Sequence, residues 1–404
     1  MYGEQLVSIC IPSYNHSAYL KYSIESCLSQ TYKNFEIIIV DDGSSDGSLQ
    51  IAENYANIYQ EKIRVYTHHD HKNRGIGATC NLAVQKSKGT LIYGFSSDDM
   101  MYPYTLEEHV SVLNKNPEVG FTCGYAQLID SDGNSINKRI GYDPSIYSNL
   151  LEENIQRNLI VTPTVCYRRI CIEKIGLQNE DLIYGDWEFV NRLIANFNIC
   201  FIDRPLVKYR IHDCNTSIGI SAEVDDKRKL EVLCEHLKRI HEIGGSFEKK
   251  RVQALLNLQI SYYNFRLNNI EAAQRALHSG FEADNSLQHD HVYFLNWLFT
   301  RLQEAGEIDY ALWLRRKLPQ NIPQSFVKKI TRKIIGLQLK RKAMDFQRQR
   351  LLCESRKMAL QSLFYNPNYM VDRYFVSILI ESLIGPKWLS SLKKINNLIK
   401  DMHD

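Results

Sequence analysis

Two pairs of neighbouring aspartates, Asp41-Asp42 and Asp98-Asp99, each follow an apolar run closely. The run FEIIIV precedes the first pair, and TLIYGF with two serines precedes the second. In an open α/β sheet, ligands bind beyond the carboxyl ends of the strands, so these four carboxylates would meet at one edge. Crowded carboxylates need a cation or hydrogen-bond donors to offset their charge. The pairs together therefore predict a metal and nucleotide site, with Mg2+ or Mn2+ as the ion.

Each pair also has a simpler explanation. Asp41-Asp42 with the following Gly-Ser can form a turn that caps a helix, and Asp98-Asp99 can form a loop before one. For one pair alone, neither interpretation is preferred. Their position at the ends of different strands of one predicted sheet favours the ligand site.

The first 210 residues alternate β-rich runs with amphipathic segments, which is typical of parallel strands joined by helical crossovers. No GxGxxG follows the first strand, which lacks the backbone cradle for a dinucleotide pyrophosphate, so a dehydrogenase is disfavoured. Instead, Pro12, Ser13, Tyr14 and Asn15 follow it. The predicted strands are Val7 to Ile11, Phe35 to Val40, Ile63 to Thr67, Thr90 to Phe95 and Val119 to Ile129, and the predicted helices are 17–30, 46–59, 76–87 and 104–115.

The composition, 44% apolar, 24% charged and 11% aromatic, is that of a folded protein. The length of 404 residues predicts two domains. No stretch approaches the roughly 20 apolar residues of a membrane helix. The segment MYGEQLVSIC lacks the features of a secretion signal, so a cytoplasmic protein is expected. The ten cysteines form no CxxC pair and no zinc-like spacing, which predicts buried thiols in a reducing compartment.

Charge divides the chain near residue 220. Residues 1–220 carry 19 Lys and Arg against 26 Asp and Glu, whereas residues 221–404 carry 30 against 20, giving net charges of −7 and +10. The strand signal fades beyond this point. We therefore predict an α/β domain over 1–220 and a helical, repeat-like bundle over 221–404. The predicted helices of the second part are 227–243, 249–267, 270–281 and 291–304.

Three stretches carry a resemblance to a known family: VSICIPSYNHSAYLKYSIESCLSQTYKNFEIIIVDDGSSDGS from residue 7, NRGIGATCNLA at 73–83, and FSSDDMMYP at 95–103. In this order they resemble the inverting, nucleotide-sugar-dependent glycosyltransferases of family 2, which have the GT-A fold. The resemblance covers residues 5–217. It implies an α/β fold in which a GT-A-type, Rossmann-like mixed sheet is flanked by helices and followed by an all-α C-terminal domain.

The resemblance assigns nucleotide contacts to residues at the strand ends. Pro12, Tyr14 and Asp42 match positions that line the base and ribose of the nucleotide in this family. Ser13 and Asp41 lie beside them. Arg74 falls where the family places a polar or basic nucleotide contact.

FSSDDMMYP matches the DxD-type motif of the family when it is anchored on its proline. Ser96 then replaces the first acid, which moves the expected ribose contact to Ser96 or Ser97, and Asp98 takes the metal-binding place. Asp99 is a second candidate ligand. RPLVKYRIHDCNTS at 204–217 is similar to the YRxHxxxxS segment of the family. There, His212 is predicted to ligate a divalent Mn2+ or Mg2+ or to donate to the diphosphate.

Asp186 by itself is an acid in the first turn of a predicted helix, where the helix dipole favours it. Family members carry Glu-Asp at this point with the Asp as general base, so the resemblance assigns that role to Asp186, although Gly185 replaces the Glu. VTPTVCYRRICIEKIG at 161–176 resembles the acceptor side of the cleft. Arg168 is a candidate phosphate contact or a surface ion-pair partner. Trp187 is a candidate for stacking on a sugar ring or for burial in the core.

Two further groups of residues have simple explanations. His68, His69 and His71 cluster in the approach to NRG and are expected to form a solvated loop. Residues 328–350 hold nine Lys and Arg against one acid, with apolar residues between them. This basic segment could lie on an anionic bilayer or form the solvated face of a packed helix. No nucleic-acid recognition motif accompanies the charge.

The leading hypothesis is an inverting, hexosyltransferase-like enzyme. It would move a sugar from a nucleotide-sugar, a UDP-sugar in the first instance, to a hydroxyl of a glycan or polyprenyl-linked glycan in surface polysaccharide synthesis. Such acceptors lie at the inner face of the membrane, where the enzyme would be peripheral. A nucleotidyltransferase is one alternative, but IPSYNHS is neither the Gly-rich nor the basic loop of that class. A non-catalytic scaffold with a decayed transferase domain is the other, and Ser96 and Gly185 are the departures that it would explain.

Overall fold

The computed structural model describes residues 5–213, 215, 220–239 and 246–284, with side chains omitted at 246–248, and seven single residues between 313 and 361. The chain forms two compact units, Met1–Ala273 and Gln274–Asp404. The boundary predicted at residue 220 remains a prediction, because compactness alone does not show which segment folds independently.

A nine-stranded mixed sheet forms the first unit's framework. Its strands are β1 (Val7–Ser13), β2 (Phe35–Asp41), β3 (Ile63–Thr67), β4 (Leu91–Gly94), β5 (Met100–Met101), β6 (Val119–Ile129), β7 (Ser135–Ile140), β8 (Cys166–Arg168) and β9 (Asn198–Arg210). Their order is β3-β2-β1-β4-β8-β6-β9-β5, with β7 paired to β6. Strands β1 to β4 run parallel, whereas β8 lies antiparallel between β4 and β6.

Helices connect these strands and continue after the last one. They are α1 (Leu20–Leu28), α2 (Ser48–Ile58), α3 (Ile76–Lys86), α4 (Thr105–Lys115), α5 (Leu150–Arg157), α6 (Arg169–Ile175), α7 (Gly185–Asn196), α8 (Ala222–Lys238), α9 (Ser246–Arg266) and α10 (Ile270–Ala283). Short 3-10 helices cover Pro144–Ile146 and Thr162–Thr164. None of the helices in the described part of the chain combines the length and apolar content that crossing a bilayer requires.

Strand β2 shows how the sequence builds this sheet. All seven of its residues are buried, which fits a central parallel strand covered by helices on both faces. Ile37 and Ile39 pack into the core on one face, and Ile38 and Val40 pack into the core on the other. The side chains of a strand alternate between faces, so a continuous apolar run suits this position.

The predicted fold class is confirmed: a mixed α/β sheet precedes a run of helices. The five predicted strands correspond to β1, β2, β3, β4 and β6, and the four helices predicted between them correspond to α1 to α4. The predicted strands do not include β5, β7, β8 or β9. The first three are short or carry polar residues along most of their length, and β9 has a proline and charged residues among its apolar ones. The helix predicted at 291–304 lies outside the described residues, and so does the basic segment at 328–350 apart from Gly336.

One histidine belongs to the core and not to a site. His109 of α4 is fully buried, and its Nδ1 lies 2.7 Å from the Thr122 hydroxyl of β6. Burial lowers the pKa of His109 to about 3, so the ring is neutral in the folded protein. In the unfolded chain the pKa returns to about 6.5, so protonation there favours unfolding as the pH falls.

We expect this histidine to make stability depend on pH. The contribution of neutral His109 to the free energy of unfolding is fully present above pH 6.5. It is lost progressively as the pH falls from 6.5 towards 3. Between pH 7 and pH 5 the free energy of unfolding should fall by about 2 kcal/mol more in the wild type than in His109→Gln. Urea unfolding of both proteins at the two pH values measures the difference. Equal pH dependence in the two proteins would contradict the assignment.

Candidate active site

The loops after β1 and β2 are held together by hydrogen bonds between their polar side chains and backbone. The backbone N–H of Asn15 donates to Ser44 Oγ at 2.9 Å, and the N–H of Ser45 donates to Asn15 Oδ1 at 2.9 Å. The N–H of His16 donates to Ser48 Oγ, also at 2.9 Å. Asn15 has a positive φ of 50°, which asparagine tolerates better than most residues. These contacts fix the chain at the carboxyl edge of the sheet.

Asp41 and Asp42 lie at this edge, and both are buried. Asp41 Oδ1 accepts from the N–H of Ser44 at 2.9 Å. The carboxylate of Asp42 accepts from the backbone N–H groups of Arg74 and Gly75, at 2.6 and 3.0 Å. Burial raises the pKa of Asp42, and these hydrogen bonds oppose the rise. The NRG segment is thereby tied to the end of β2.

His68 also belongs to this group. Its Nε2 lies 3.4 Å from Asp42 Oδ1 and 3.1 Å from Thr79 Oγ1. His69 and His71 are exposed, as expected for a solvated loop. The expectation was wrong for His68, whose side chain is only 13% exposed. Sequence gave no signal to separate it from its neighbours, because the distinction depends on packing against α3.

A second cluster forms where the loop after β4 meets the end of β9. His212 Nε2 lies 3.0 Å from Asp98 Oδ2, and Asn215 Nδ2 donates to the same oxygen at 3.2 Å. His16 joins them from the first loop, with its Nδ1 2.7 Å from Ser97 Oγ. One ligand atom from each of His16, Asp98 and His212 lies within 4.8 Å of the others.

This donor set fits a divalent cation. Two imidazoles and a carboxylate suit transition metals such as Mn2+ better than Mg2+, which prefers oxygen ligands. A histidine must be neutral to ligate a metal, and burial lowers the pKa of His16, which favours its neutral form. Of the predicted ligands, Asp98 and His212 meet here, and His16 was missed. It lies two residues beyond Tyr14 in the first motif, so its position after a strand end was the available signal.

Asp99 is placed differently from Asp98. Its Oδ1 accepts from the backbone N–H of Arg210 at 2.8 Å, and the residue is 1% exposed. Burial and the nearby charge of Asp98 raise the pKa of Asp99 well above its ordinary value. The side chain of Arg210 donates to the Asp98 carbonyl at 2.8 Å and to the Ser131 carbonyl at 2.8 Å. Arg210 therefore holds the loop that presents Asp98, and sequence reasoning had assigned it no role.

Asp186 lies in the first turn of α7 with both carboxylate oxygens engaged. Oδ2 accepts from the Thr162 hydroxyl at 2.9 Å, and Oδ1 accepts from the N–H of Trp187 at 2.8 Å. Burial raises the pKa of Asp186, and these two bonds partly offset the rise. Burial and the charges of Asp186 and Asp42 raise the pKa of the Cys80 thiol to about 12. Both carboxylates therefore act on this one residue of α3.

The remaining predicted residues have contacts of other kinds. Tyr14 is 46% exposed beyond β1. The Arg74 guanidinium pairs with Asp70 at 2.7 Å. Arg168 donates to the carbonyls of Val119 and Leu113, at 2.8 and 2.6 Å. These carbonyls lie at the start of β6 and in α4, so this arginine braces the sheet there.

Trp187 is 4% exposed, and its Nε1 donates to the Asn154 carbonyl at 2.8 Å. Of the two alternatives considered for Trp187, stacking on a sugar ring or burial in the core, these contacts correspond to burial in the core. Pro12, Ser13 and Ser96 lie at or just beyond the ends of β1 and β4. The roles assigned to all of these residues stay predictions.

Comparison with known sequences identifies the family. The sequence profile described as Glycosyl transferase family 2 matches residues 8–174. An uncharacterized glycosyltransferase of Rickettsia prowazekii is 35% identical over 239 residues, which are 55% of this chain and 70% of that protein. Chondroitin synthase of Escherichia coli is 39% identical over 262 residues, 63% of this chain. This chain spans only 35% of the length of that synthase.

Comparison with solved structures supports the fold. The structure of S. aureus TarS 1-349 in complex with UDP-GlcNAc superimposes with a TM-score of 0.51 and 17% identity. The match covers 89% of this chain and 91% of that one. The mixed sheet is therefore of the GT-A type, and the C-terminal helices α8 to α10 follow it. The chain belongs to glycosyltransferase family 2, the enzymes that transfer a sugar from a nucleotide-sugar donor.

Proposed function

We propose that this enzyme is an inverting transferase that moves a sugar from a UDP-sugar to a hydroxyl of a glycan or polyprenyl-linked glycan, with Asp186 as general base. The observation that carries the proposal is the state of Asp186. It is a half-buried carboxylate with a raised pKa, held on both oxygens by Thr162 and Trp187. A base of this kind is fixed in orientation and more basic than an exposed aspartate.

The donor would occupy the carboxyl edge of β1, β2 and β4. Asp41 and Asp42, with the loop of Arg74, are proposed to contact the base and ribose, and Ser96 and Ser97 the ribose. The complex of TarS with UDP-GlcNAc supports a uridine nucleotide as the donor carrier. The identity of the transferred sugar depends on contacts around its hydroxyls, for which the sequence has no readable code.

His16, Asp98 and His212 are proposed to hold a divalent cation, Mn2+ or Mg2+, with the donor set favouring Mn2+. Asp99 stays a second candidate ligand. A cation bound there would offset the negative charge that builds on the leaving nucleoside diphosphate. Asn215 orients Asp98 by donating to the oxygen that faces His212. Orienting partners of this kind are part of how a protein tunes a metal ligand.

The proposed reaction is a single displacement. Asp186 takes the proton from the acceptor hydroxyl as its oxygen forms a bond to the anomeric carbon. The bond from that carbon to the diphosphate oxygen breaks on the opposite face, and its electron pair leaves with the nucleoside diphosphate. One base suffices, because the leaving diphosphate needs no proton from a second acid once its charge is offset.

The acceptor side is proposed from the family resemblance and from chemistry. Trp187 and Arg168 are the candidates named for it, although both side chains make buried or structural contacts. A polyprenyl-linked acceptor would place the enzyme at the cytoplasmic face of a membrane, with the basic residues of 328–350 as contacts for anionic lipid. Co-sedimentation with anionic vesicles at low and high salt tests this contact. Failure to bind at low salt would exclude it.

The base role predicts the behaviour of Asp186→Asn. The variant should lose turnover by roughly 100-fold or more, because general-base catalysis contributes at least that much, while its affinity for the nucleotide-sugar is retained. In the wild type, kcat should rise with pH through an acid limb above the ordinary aspartate pKa, because burial raises the pKa of Asp186. Nucleoside diphosphate release with acceptor present measures turnover, and calorimetric titration measures donor binding.

Asp181→Asn is the matched control, because Asp181 is an exposed acid in the loop before α7. It should behave as the wild type. Full activity of Asp186→Asn, or loss of donor binding with normal folding, would remove Asp186 from the base role.

The metal site predicts a loss of affinity that does not depend on catalysis. His16→Ala and Asp98→Asn should each weaken Mn2+ binding by about 10-fold or more, since each removes a ligand and not merely a supporting residue. Titration of Mn2+ into the protein with UDP present, followed by calorimetry, measures the change. His69→Ala, at an exposed position, is the control. Unchanged Mn2+ affinity in His16→Ala would leave that residue outside the ligand set.

A further inference from the structure

The proposed base lies in the first turn of helix α7, and helix α8 is attached to this helix at two points. The first lies two residues before the base. The hydroxyl of Tyr184, the residue before α7, donates to Asp225 Oδ1 of α8 at 2.8 Å. Lys229 holds the other oxygen of Asp225 at 2.6 Å. Burial and the bond to Asp225 raise the pKa of Tyr184 to about 12, so its hydroxyl keeps the proton that it donates.

The second attachment lies in the middle of α7. Asn191 Nδ2 lies 2.9 Å from His236 Nε2 of α8. Burial lowers the pKa of His236 to about 3, so the ring is neutral. The amide N–H of Asn191 therefore donates to an unprotonated Nε2. Asn191 and His236 are 2% and 7% exposed, so the loss of either partner would leave a polar group away from water.

From Asn191 the hydrogen bonds continue to both supports of the base. Asn191 Oδ1 accepts from Asn154 Nδ2 at 2.8 Å. The carbonyl of Asn154 accepts from the indole N–H of Trp187. The backbone N–H of Trp187 in turn donates to Asp186 Oδ1. Asn154 Oδ1 accepts from the N–H groups of Leu159 and Ile160, at 2.7 and 3.2 Å. That stretch leads directly to Thr162, the other donor to Asp186.

We propose that α8 positions the general base, with His236 acting through Asn191 and Asn154, and Asp225 acting through Tyr184. The inference rests on the proposed role of Asp186. Asn154 is the branching residue, because it restrains both Trp187 and the chain that carries Thr162. His236 and Asp225 touch no reacting atom in this scheme and are positioning residues. Helix α8, like the proposed base itself, lies beyond residues 8–174, so the proposal extends the catalytic apparatus to a helix that follows the last strand of the sheet.

The test separates positioning from folding by comparing two substitutions of one residue. His236→Phe fills the space but offers no acceptor to Asn191, whereas His236→Gln supplies an oxygen that can replace Nε2. We expect His236→Phe to lower kcat by about 10-fold, the size of effect that misplaced catalytic groups produce, with the KM for the nucleotide-sugar unchanged. His236→Gln should recover most of the rate.

A pH profile gives a readout that a purely structural role would not move. The bonds from Thr162 and Trp187 lower the pKa of Asp186 against the effect of burial. Loosening them in His236→Phe should therefore shift the acid limb of kcat to higher pH. Tyr184→Phe, which removes only a hydroxyl, should shift it in the same direction. Glu231→Gln, at an exposed position of α8, is the control and should match the wild type.

Wild-type kcat and an unmoved acid limb in both His236→Phe and Tyr184→Phe would overturn the proposal. So would a loss of rate in His236→Phe that His236→Gln does not recover while both variants bind the nucleotide-sugar normally. Failure of the proposed function has a different signature, because Asp186→Asn would then be active. An inactive Asp186→Asn together with fully active His236→Phe and Tyr184→Phe would refute positioning alone.

Discussion

The buried carboxylate of Asp98 is the constraint around which the donor side of the site is built. A carboxylate removed from water needs partners, and Asp98 finds them in chain segments far apart in sequence. His212 and Asn215 come from the end of β9, and His16 approaches from the loop after β1. The loop that carries Asp98 is held by the side chain of Arg210. The charge of one residue therefore requires that three strand ends meet.

The neighbouring Asp99 shows why the two acids cannot be equivalent. Two adjacent carboxylates in a buried place repel each other, and burial adds to the cost of charging the second. The pKa of Asp99 is raised well above its ordinary value, and its Oδ1 is turned to the backbone of Arg210. Asp98 instead faces two imidazoles. The pair thus divides into one acid that faces the candidate cation site and one whose Oδ1 joins β9 to the loop after β4.

Local sequence patterns predicted the parts of the fold that depend on local chemistry. The run FEIIIV predicted a buried parallel strand, and the acids after it were placed correctly at its carboxyl end. The patterns could not predict contacts that depend on distant partners. His68 was expected in a solvated loop and His16 had no predicted role, but packing places them beside Asp42 and Asp98. Arg168 has a charge that could serve a phosphate, but its guanidinium lies among carbonyls of α4 and β6, which no spacing reveals.

Asp186, proposed for catalysis, and Asp98, proposed for metal binding, are held by different kinds of interaction. Asp98 is surrounded by side chains that are themselves candidate ligands, so its environment includes groups that can bind a cation. Asp186 accepts hydrogen bonds from the Thr162 hydroxyl and the Trp187 amide N–H, so its extra basicity comes from burial and its direction from neutral donors. A general base needs a lone pair that remains free to take a proton. A neighbouring cation would stabilise the charged carboxylate and lower its pKa, whereas neutral donors do so much less. Those donors are in turn fixed by Asn154 and Asn191, also neutral, which extend to α8 without bringing a charge near the base. Uncharged amides can therefore hold a catalytic carboxylate in place while leaving its pKa high enough for proton transfer.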